Sequence, residues 1–420
     1  MALVLSPPWA VLRAVTRSRV LIGVLLLTLL VVVVPRRGIA AAATATVTVT
    51  PTAVGTMQTQ MSTNNVWSGM VDQAPGAQQE LNALHDPLVR IHVGDDGWPE
   101  AMPELNQGQW NFSALDALVN NVTKTGQQPL MNIKFAPDWM WTCYPNSIGV
   151  SSNSTQGAGT VKDLTFQTYA AYMARLVSYY NKGSMTTESG TVIVNPAGTK
   201  NRITYWEPWN EPDLNIETPC APANGLGITP AQYVTMWNAV TQAVLAVDPT
   251  VKFVGPATSG GQFGSTSYNT YVTSLLAGAT VQPAAISFHG YGYWDNSVTD
   301  QTIFDGDSTG SGGITNIVSD TQALHALAPS TPLWIDEVNV NAAWGNDAYS
   351  RPWNAFSAAW WGSLFTQVAP LGVGMINQYD VADSPQFGLV SDQTGAPRLP
   401  YWEQSLLNSA FPAGSTLVSA

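Results

Sequence analysis

The chain has 420 residues, of which 45% are apolar and only 10% charged, and a formal net charge of −12. So little charge excludes a disordered chain, and the acidic excess excludes nucleic acid and acidic polysaccharides as partners. The length allows one large domain or two or three small ones.

The first 43 residues have the order of a secretory signal: Arg13, Arg17 and Arg19, then the apolar run Val20–Val34, then small residues from Gly38 to Ala43. That run is short for a membrane span. Cleavage near Ala40–Ala43 is expected, with no stable membrane insertion afterwards; Arg36 and Arg37 keep an uncleaved, surface-held form open. Processing removes five arginines and no acids, which leaves a net charge of −17 and points to a neutral substrate. Export allows Cys143 and Cys220, the only cysteines, to pair as a disulfide; two free thiols are the alternative.

Residues 44–56 read as a linker or loose first strand, 57–410 as one domain and 411–420 as a tail. From residue 57 short apolar runs alternate with longer helix-like stretches. Met57–Met61 is a weak strand, Pro75–Leu84 a helix and Leu88–Val93 a strand. Ser113 is an N-cap candidate for a helix ending near Gly126. Leu130–Phe135 is a strand, Thr165–Tyr180 a helix and Ile203–Trp209 a strand. Pro230 opens a helix to Val247, since proline suits a first turn. The strands Val251–Val254, Ala285–Phe288, Leu333–Glu337 and Val373–Gln378 follow, each preceding a helix: Tyr268–Leu276, Ile314–Leu327, Pro352–Val368 and Tyr401–Leu407.

Eight strands alternating with helices imply parallel crossovers, and at this length a closed (β/α)8 TIM barrel. The rival, a doubly wound sheet, usually carries a Gly-rich phosphate turn after its first strand, and none is present. Residues 138–162, 183–201 and 295–313 are long polar insertions. The first and third follow strands and so belong to the catalytic rim, as substrate loops or as surface insertions.

Two acidic stretches sit at strand ends: Thr204-Tyr-Trp-Glu-Pro-Trp-Asn-Glu-Pro-Asp213 and Thr331-Pro-Leu-Trp-Ile-Asp-Glu-Val338. Two carboxylates on the ends of two strands are what glycosidic bond cleavage needs. Glu211 and Glu337 are the candidates. Glu207 shares strand parity with Glu211 and is either a rival acid or an inner partner for Arg90. Asp336 has the opposite parity to Glu337 and is expected to point away. His92, Asp95 and Asp96 lack the further spaced ligand of a metal site, so no metal or cofactor is expected.

Trp206-Glu-Pro-Trp-Asn-Glu-Pro212 resembles the fourth-strand signature of the clan A glycoside hydrolases, and within them the chain looks most like family 39 and related family 5 enzymes. The likeness covers roughly residues 57–408. It is supported by Leu88-Val-Arg-Ile-His92, Trp110-Asn-Phe-Ser-Ala-Leu-Asp116, Ser287-Phe-His-Gly-Tyr291 and Leu333-Trp-Ile-Asp-Glu337. The resemblance implies a retaining glycosidase acting on β-linked neutral oligo- or polysaccharides. Glu211 matches the acid/base and Glu337 the nucleophile. Asn210 would hold the sugar 2-hydroxyl, Arg90 would keep Glu337 ionised, and His289 would line the pocket. Tyr291, or Tyr293 in another register, would bond the nucleophile. Trp139, Trp141, Trp209, Trp294 and Trp344 fall on the rim as sugar platforms or packing. The clan often has tryptophan at the end of the eighth strand, where this chain has Ile376-Asn-Gln-Tyr379, and no accessory β-sandwich is evident. A transglycosylase with the same site and a non-catalytic carbohydrate-binding barrel are the alternatives.

Overall fold

The computed structural model describes residues 52–65, 76–94, 102–124, 126–134, 136–141, 161–213, 228–260, 267–343, 347–382 and 387–418. The expected signal segment 1–43, Cys143, Cys220 and Trp344 lie outside the described residues.

Among the described residues there are twelve strands in chain order: β1 Ala53–Thr56, β2 Gln60–Asn65, β3 Leu88–Val93, β4 Gln128–Ile133, β5 Ser184–Thr186, β6 Val192–Val194, β7 Tyr205–Glu207, β8 Lys252–Thr258, β9 Ala285–Tyr291, β10 Leu333–Asn339, β11 Val373–Gln378 and β12 Thr416–Val418. Eight of them (β2, β3, β4, β7, β8, β9, β10 and β11) close in that order into one parallel barrel. The α-helices between and after them are α1 Ala77–Leu84, α2 Ser113–Thr123, α3 Gln167–Lys182, α4 Pro230–Val247, α5 Ser267–Gly278, α6 Asp300–Asp305, α7 Gly313–Leu327, α8 Ala355–Val368 and α9 Leu399–Ala410. Among the described residues no helix is long and apolar enough to cross a membrane.

Local chemistry explains the best-defined boundaries. Pro230 stands at the first turn of α4, and Thr229 and Gln232 close a reciprocal capping box before it. At α2 the N-cap is Phe112, and Ser113 is the first helical residue; Asn111 Oδ1 accepts from the Ser113 N–H instead. Two small sheets lie outside the barrel. β5 and β6 form an antiparallel hairpin within the polar stretch 183–201. β1 pairs antiparallel with β12, which joins the segment before the barrel to the segment after it.

The barrel interior is layered. Its floor is apolar, made of Leu88, Leu130, Val254, Ala285, Trp334 and Met375 with Tyr205 against them. Two residues further along six of these seven strands the inward side chains turn polar: Arg90, Asn132, Glu207, Ser287, Asp336 and Asn377, all fully buried; on β8 the position is Pro256. Outside the strands, Trp237, Tyr169 and Tyr172 belong to one helical core, and Trp360 and Trp361 to a second. An apolar floor with a buried polar layer above it fixes where charge can collect. It collects at the C-terminal ends of the strands, the end that carries the chemistry in barrels of this kind.

Candidate active site

Glu211 and Glu337 stand over the polar layer. Together with His289 they offer ligand atoms that all lie within 4.8 Å of one another. His289 Nδ1 is 2.8 Å from Glu211 Oε1 and 3.7 Å from Glu337 Oε1. Tyr291 OH donates to Glu337 Oε1 at 2.8 Å. Arg90 Nη1 donates to Glu337 Oε2 at 2.9 Å, and Nη2 to Asn210 Oδ1 at 2.7 Å. With its carbonyl oxygen so held, Asn210 keeps Nδ2 as the group to offer a ligand. Six of the expected residues thus meet in one place: Glu211, Glu337, Arg90, Asn210, His289 and Tyr291. Tyr293 does not join them; its hydroxyl donates to Asp307 Oδ2 at 2.9 Å.

Glu207 is Arg90's inner partner. Arg90 Nε donates to its Oε2 at 2.9 Å, Asn132 Nδ2 donates to the same oxygen at 2.9 Å, and Ser287 Oγ to Oε1 at 2.6 Å. Both of its oxygens are occupied below the site, which sets it apart from Glu211.

The expectation for Asp336 is overturned. Asp336 is fully buried inside the barrel, with Oδ2 3.4 Å from Arg90 Nε. The reason is a bulge. Ile335 pairs with Phe288 and Glu337 with the next residue, His289, so β10 spends two residues where β9 spends one. Strand parity therefore fails at that step, and Asp336 and Glu337 both reach the Arg90 guanidinium.

Charge in the cluster is matched by placement. Burial opposes a charged Glu337, but His289, Arg90, His92 and the Tyr291 hydroxyl outweigh it and hold its pKa at about 2. Burial also opposes a charged His289, but Glu337 and Glu211 outweigh it and raise the imidazole to about 9. His289 is therefore doubly protonated at neutral pH, and its Nδ1–H donates to Glu211. Burial and then Glu207 push Asp336 well above the usual carboxylate range. Arg90 Nε is near, but neither Asp336 oxygen accepts a hydrogen bond, so nothing of that kind offsets the loss of solvent.

Among the described residues, Glu211, His289 and Glu337 are the one group with the spacing to hold a metal ion. The electrostatics disfavour it. Arg90 already neutralises Glu337, and a metal would have to displace a proton from a histidine held well above its ordinary value. His92 lies in β3, while Asp95 and Asp96 lie outside the described residues.

No protein family and no curated protein matches the chain by sequence. Solved structures do match in shape. A GH39 β-xylosidase from Caulobacter crescentus superposes with a TM-score of 0.56 at 16% identity, covering 88% of this chain and 75% of that one. The catalytic domain of GH30 xylanase C from Talaromyces cellulolyticus gives 0.56 at 15% identity, over 87% and 79%. A glucosidase from Croceicoccus marinus gives 0.54 at 16% identity, over 88% and 71%. The fold is the (β/α)8 barrel of these glycosidases.

On this barrel the described rim tryptophans divide between packing and a cavity wall. Trp209 and Trp141 are buried, 5.9 Å apart, with Trp209 edge-on to Tyr169. Trp139 is half-buried, and its Nε1 donates to the Glu104 carbonyl. It lines a cavity of about 210 Å³ with Gln107, Met140, Lys162 and Tyr169, and none of the six clustered residues lines that cavity. Trp294 lies flat on Tyr293 at 4.1 Å and packs against the second helical core. At the end of β11, where tryptophan is absent, Tyr379 packs with Tyr291 and Phe387. Sequence reasoning also missed Asn64, which accepts from Arg90 Nη1 at 3.2 Å, as well as Asn132 and Ser287. In the last two cases a lone polar residue inside an apolar strand was the available signal.

Proposed function

We propose that the protein is a retaining O-glycoside hydrolase that cleaves β-linked neutral sugars. The observation that carries this is the close approach of Glu211 and Glu337, within 4.8 Å between ligand oxygens, at the C-terminal end of the barrel. Retaining enzymes hold their carboxyls about 5–5.5 Å apart, while inverting enzymes need about 6.5–9.5 Å to admit water.

In the first step a Glu337 oxygen attacks the anomeric carbon from the face opposite the leaving oxygen. Glu211 gives that oxygen its proton, the glycosidic C–O bond breaks, and an ester bond to Glu337 forms. His289 bonds Glu211 Oε1, so Oε2 is the oxygen that carries the proton. In the second step water gives a proton to Glu211 and attacks the anomeric carbon, and the Glu337 carboxylate leaves. Asn210 Nδ2 holds the 2-hydroxyl, where bonds strengthen in the transition state.

The similarity in shape to a β-xylosidase, a xylanase and a glucosidase supports a xylo- or gluco-configured substrate. The order of residues in the N-terminal segment supports export. The test is nuclear magnetic resonance of the sugar first released from a panel of aryl β-glycosides. The β-anomer appearing first supports retention. The α-anomer first would refute the double displacement, and no cleavage of any glycoside or neutral polysaccharide would refute the activity.

A further inference from the structure

The strand ends beside Glu211 hold a second irregularity. Pro256 pairs with Ser287 and Thr258 with the next residue, Phe288, so β8 has one extra residue, Ala257. Ala257 takes a left-handed backbone at φ 52°, without a glycine to ease it. Its N–H donates to Ser287 Oγ at 2.9 Å, and its carbonyl accepts the Glu211 N–H at 2.8 Å. Glu211 is also left-handed, at φ 44°. Two strained residues on neighbouring strand ends are thus tied by one hydrogen bond, and such strain persists only where the surroundings over-determine it.

The next ties lie two residues further along both loops. Asp213 Oδ1 accepts the Ser259 N–H at 2.8 Å, and Oδ2 accepts Ser259 Oγ at 3.0 Å. Gly260 then turns left-handed against the backbone of His289; a Cβ there would meet the His289 carbonyl oxygen at 2.4 Å. Residues 257–260 therefore touch the Glu211 backbone on one side and the His289 backbone on the other.

We propose that the Asp213–Ser259 pair is a positioning clamp for Glu211, holding it against the Ala257 bulge so that its carboxyl aims at the leaving oxygen. The inference rests on the glycosidase reading. A carboxylate gripped twice by one serine fixes both distance and direction, which a single bond does not. Asp213 touches no reacting atom and acts through the backbone of Glu211. Loss of solvent at its carboxyl, only partly offset by Ser259, raises its pKa to about 6, with Glu211 adding to the rise.

The test compares two aryl β-glycosides on wild type, Ser259→Ala, Asp213→Asn and Ser259→Thr. One substrate has a phenol leaving group, which needs a proton, and the other 2,4-dinitrophenol, which does not. The clamp predicts that kcat/KM for the phenyl glycoside falls ~10-fold or more in Ser259→Ala and Asp213→Asn, part of the ~10²–10⁴ that general acid catalysis supplies. The dinitrophenyl glycoside stays within about twofold, because no acid catalysis is lost from it. Ser259→Thr, which keeps the hydroxyl, restores the phenyl rate. If Asp213→Asn does not fold, Ser259→Ala decides alone, because the backbone bond to Asp213 remains. Parallel losses on both substrates, or no loss on either, overturn the clamp while leaving the glycosidase reading intact. A wild type that cuts neither glycoside overturns both.

Discussion

Arg90 Nη1 stands 2.9 Å from Glu337 Oε2, with both side chains largely out of solvent. The same guanidinium reaches Glu207, Asp336, Asn64 and Asn210. Removing it strands several buried acceptors at once. Arg90→Met is expected to cost about 3–5 kcal/mol of stability, the range for breaking a buried ion pair, and to abolish turnover. Urea denaturation followed by circular dichroism reads the first effect and aryl glycoside hydrolysis the second.

Tyr291 donates to the charged form of Glu337. A hydrogen bond to an ionised group contributes ~1.5–3 kcal/mol, so Tyr291→Phe should lower kcat/KM ~10-fold or more. The bond also helps to depress the Glu337 pKa. Without it the acidic limb of the pH–rate profile moves to higher pH, as a kcat/KM profile of the variant would show.

His289 gives a pH dependence of stability. Its pKa rises from an ordinary 6.5 to about 9 in the fold. The stabilisation is therefore fully present below about 6.5 and is lost as pH climbs through about 9. Melting temperatures should fall across that window in wild type, and the slope should flatten in His289→Gln.

Asp336 and Glu207 share the barrel interior but not their hydrogen bonds: Glu207 accepts three, and Asp336 accepts none. Burial and Glu207 shift Asp336 toward its protonated form, and the amide of Asp336→Asn copies that form. Glu207→Gln removes the carboxylate that Arg90 bonds. Denaturation curves should show a much larger loss for Glu207→Gln than for Asp336→Asn.

Where the local code was unambiguous, the sequence could be read closely. Leu88–Val93 and Val373–Gln378 are strands with the expected ends, and Pro230–Val247 is a helix with the expected ends. The first barrel strand was expected at Met57–Met61 and lies at Gln60–Asn65. Its residues Ser62, Thr63 and Asn64 are polar yet buried, so apolar periodicity could not find it. The cluster of Glu211, Glu337, Arg90, Asn210, His289 and Tyr291 was legible because strand ends place side chains predictably. Asp336 and Ala257 were not, because each adjoins a bulge, and a bulge breaks the two-residue parity on which the reading depends. Trp209 and Trp141 were open between platform and packing, because position along the chain does not say which way a loop aromatic folds; both are buried.

The central claim is that Glu337 forms the covalent bond to sugar. Its most direct test is azide rescue of Glu337→Ala on an aryl β-glycoside with an activated leaving group. The account predicts a nearly inactive variant that azide revives, yielding an α-glycosyl azide, because the small anion enters from the face the carboxylate vacated. A variant that turns over like wild type without azide, or that yields the β-azide, would contradict it.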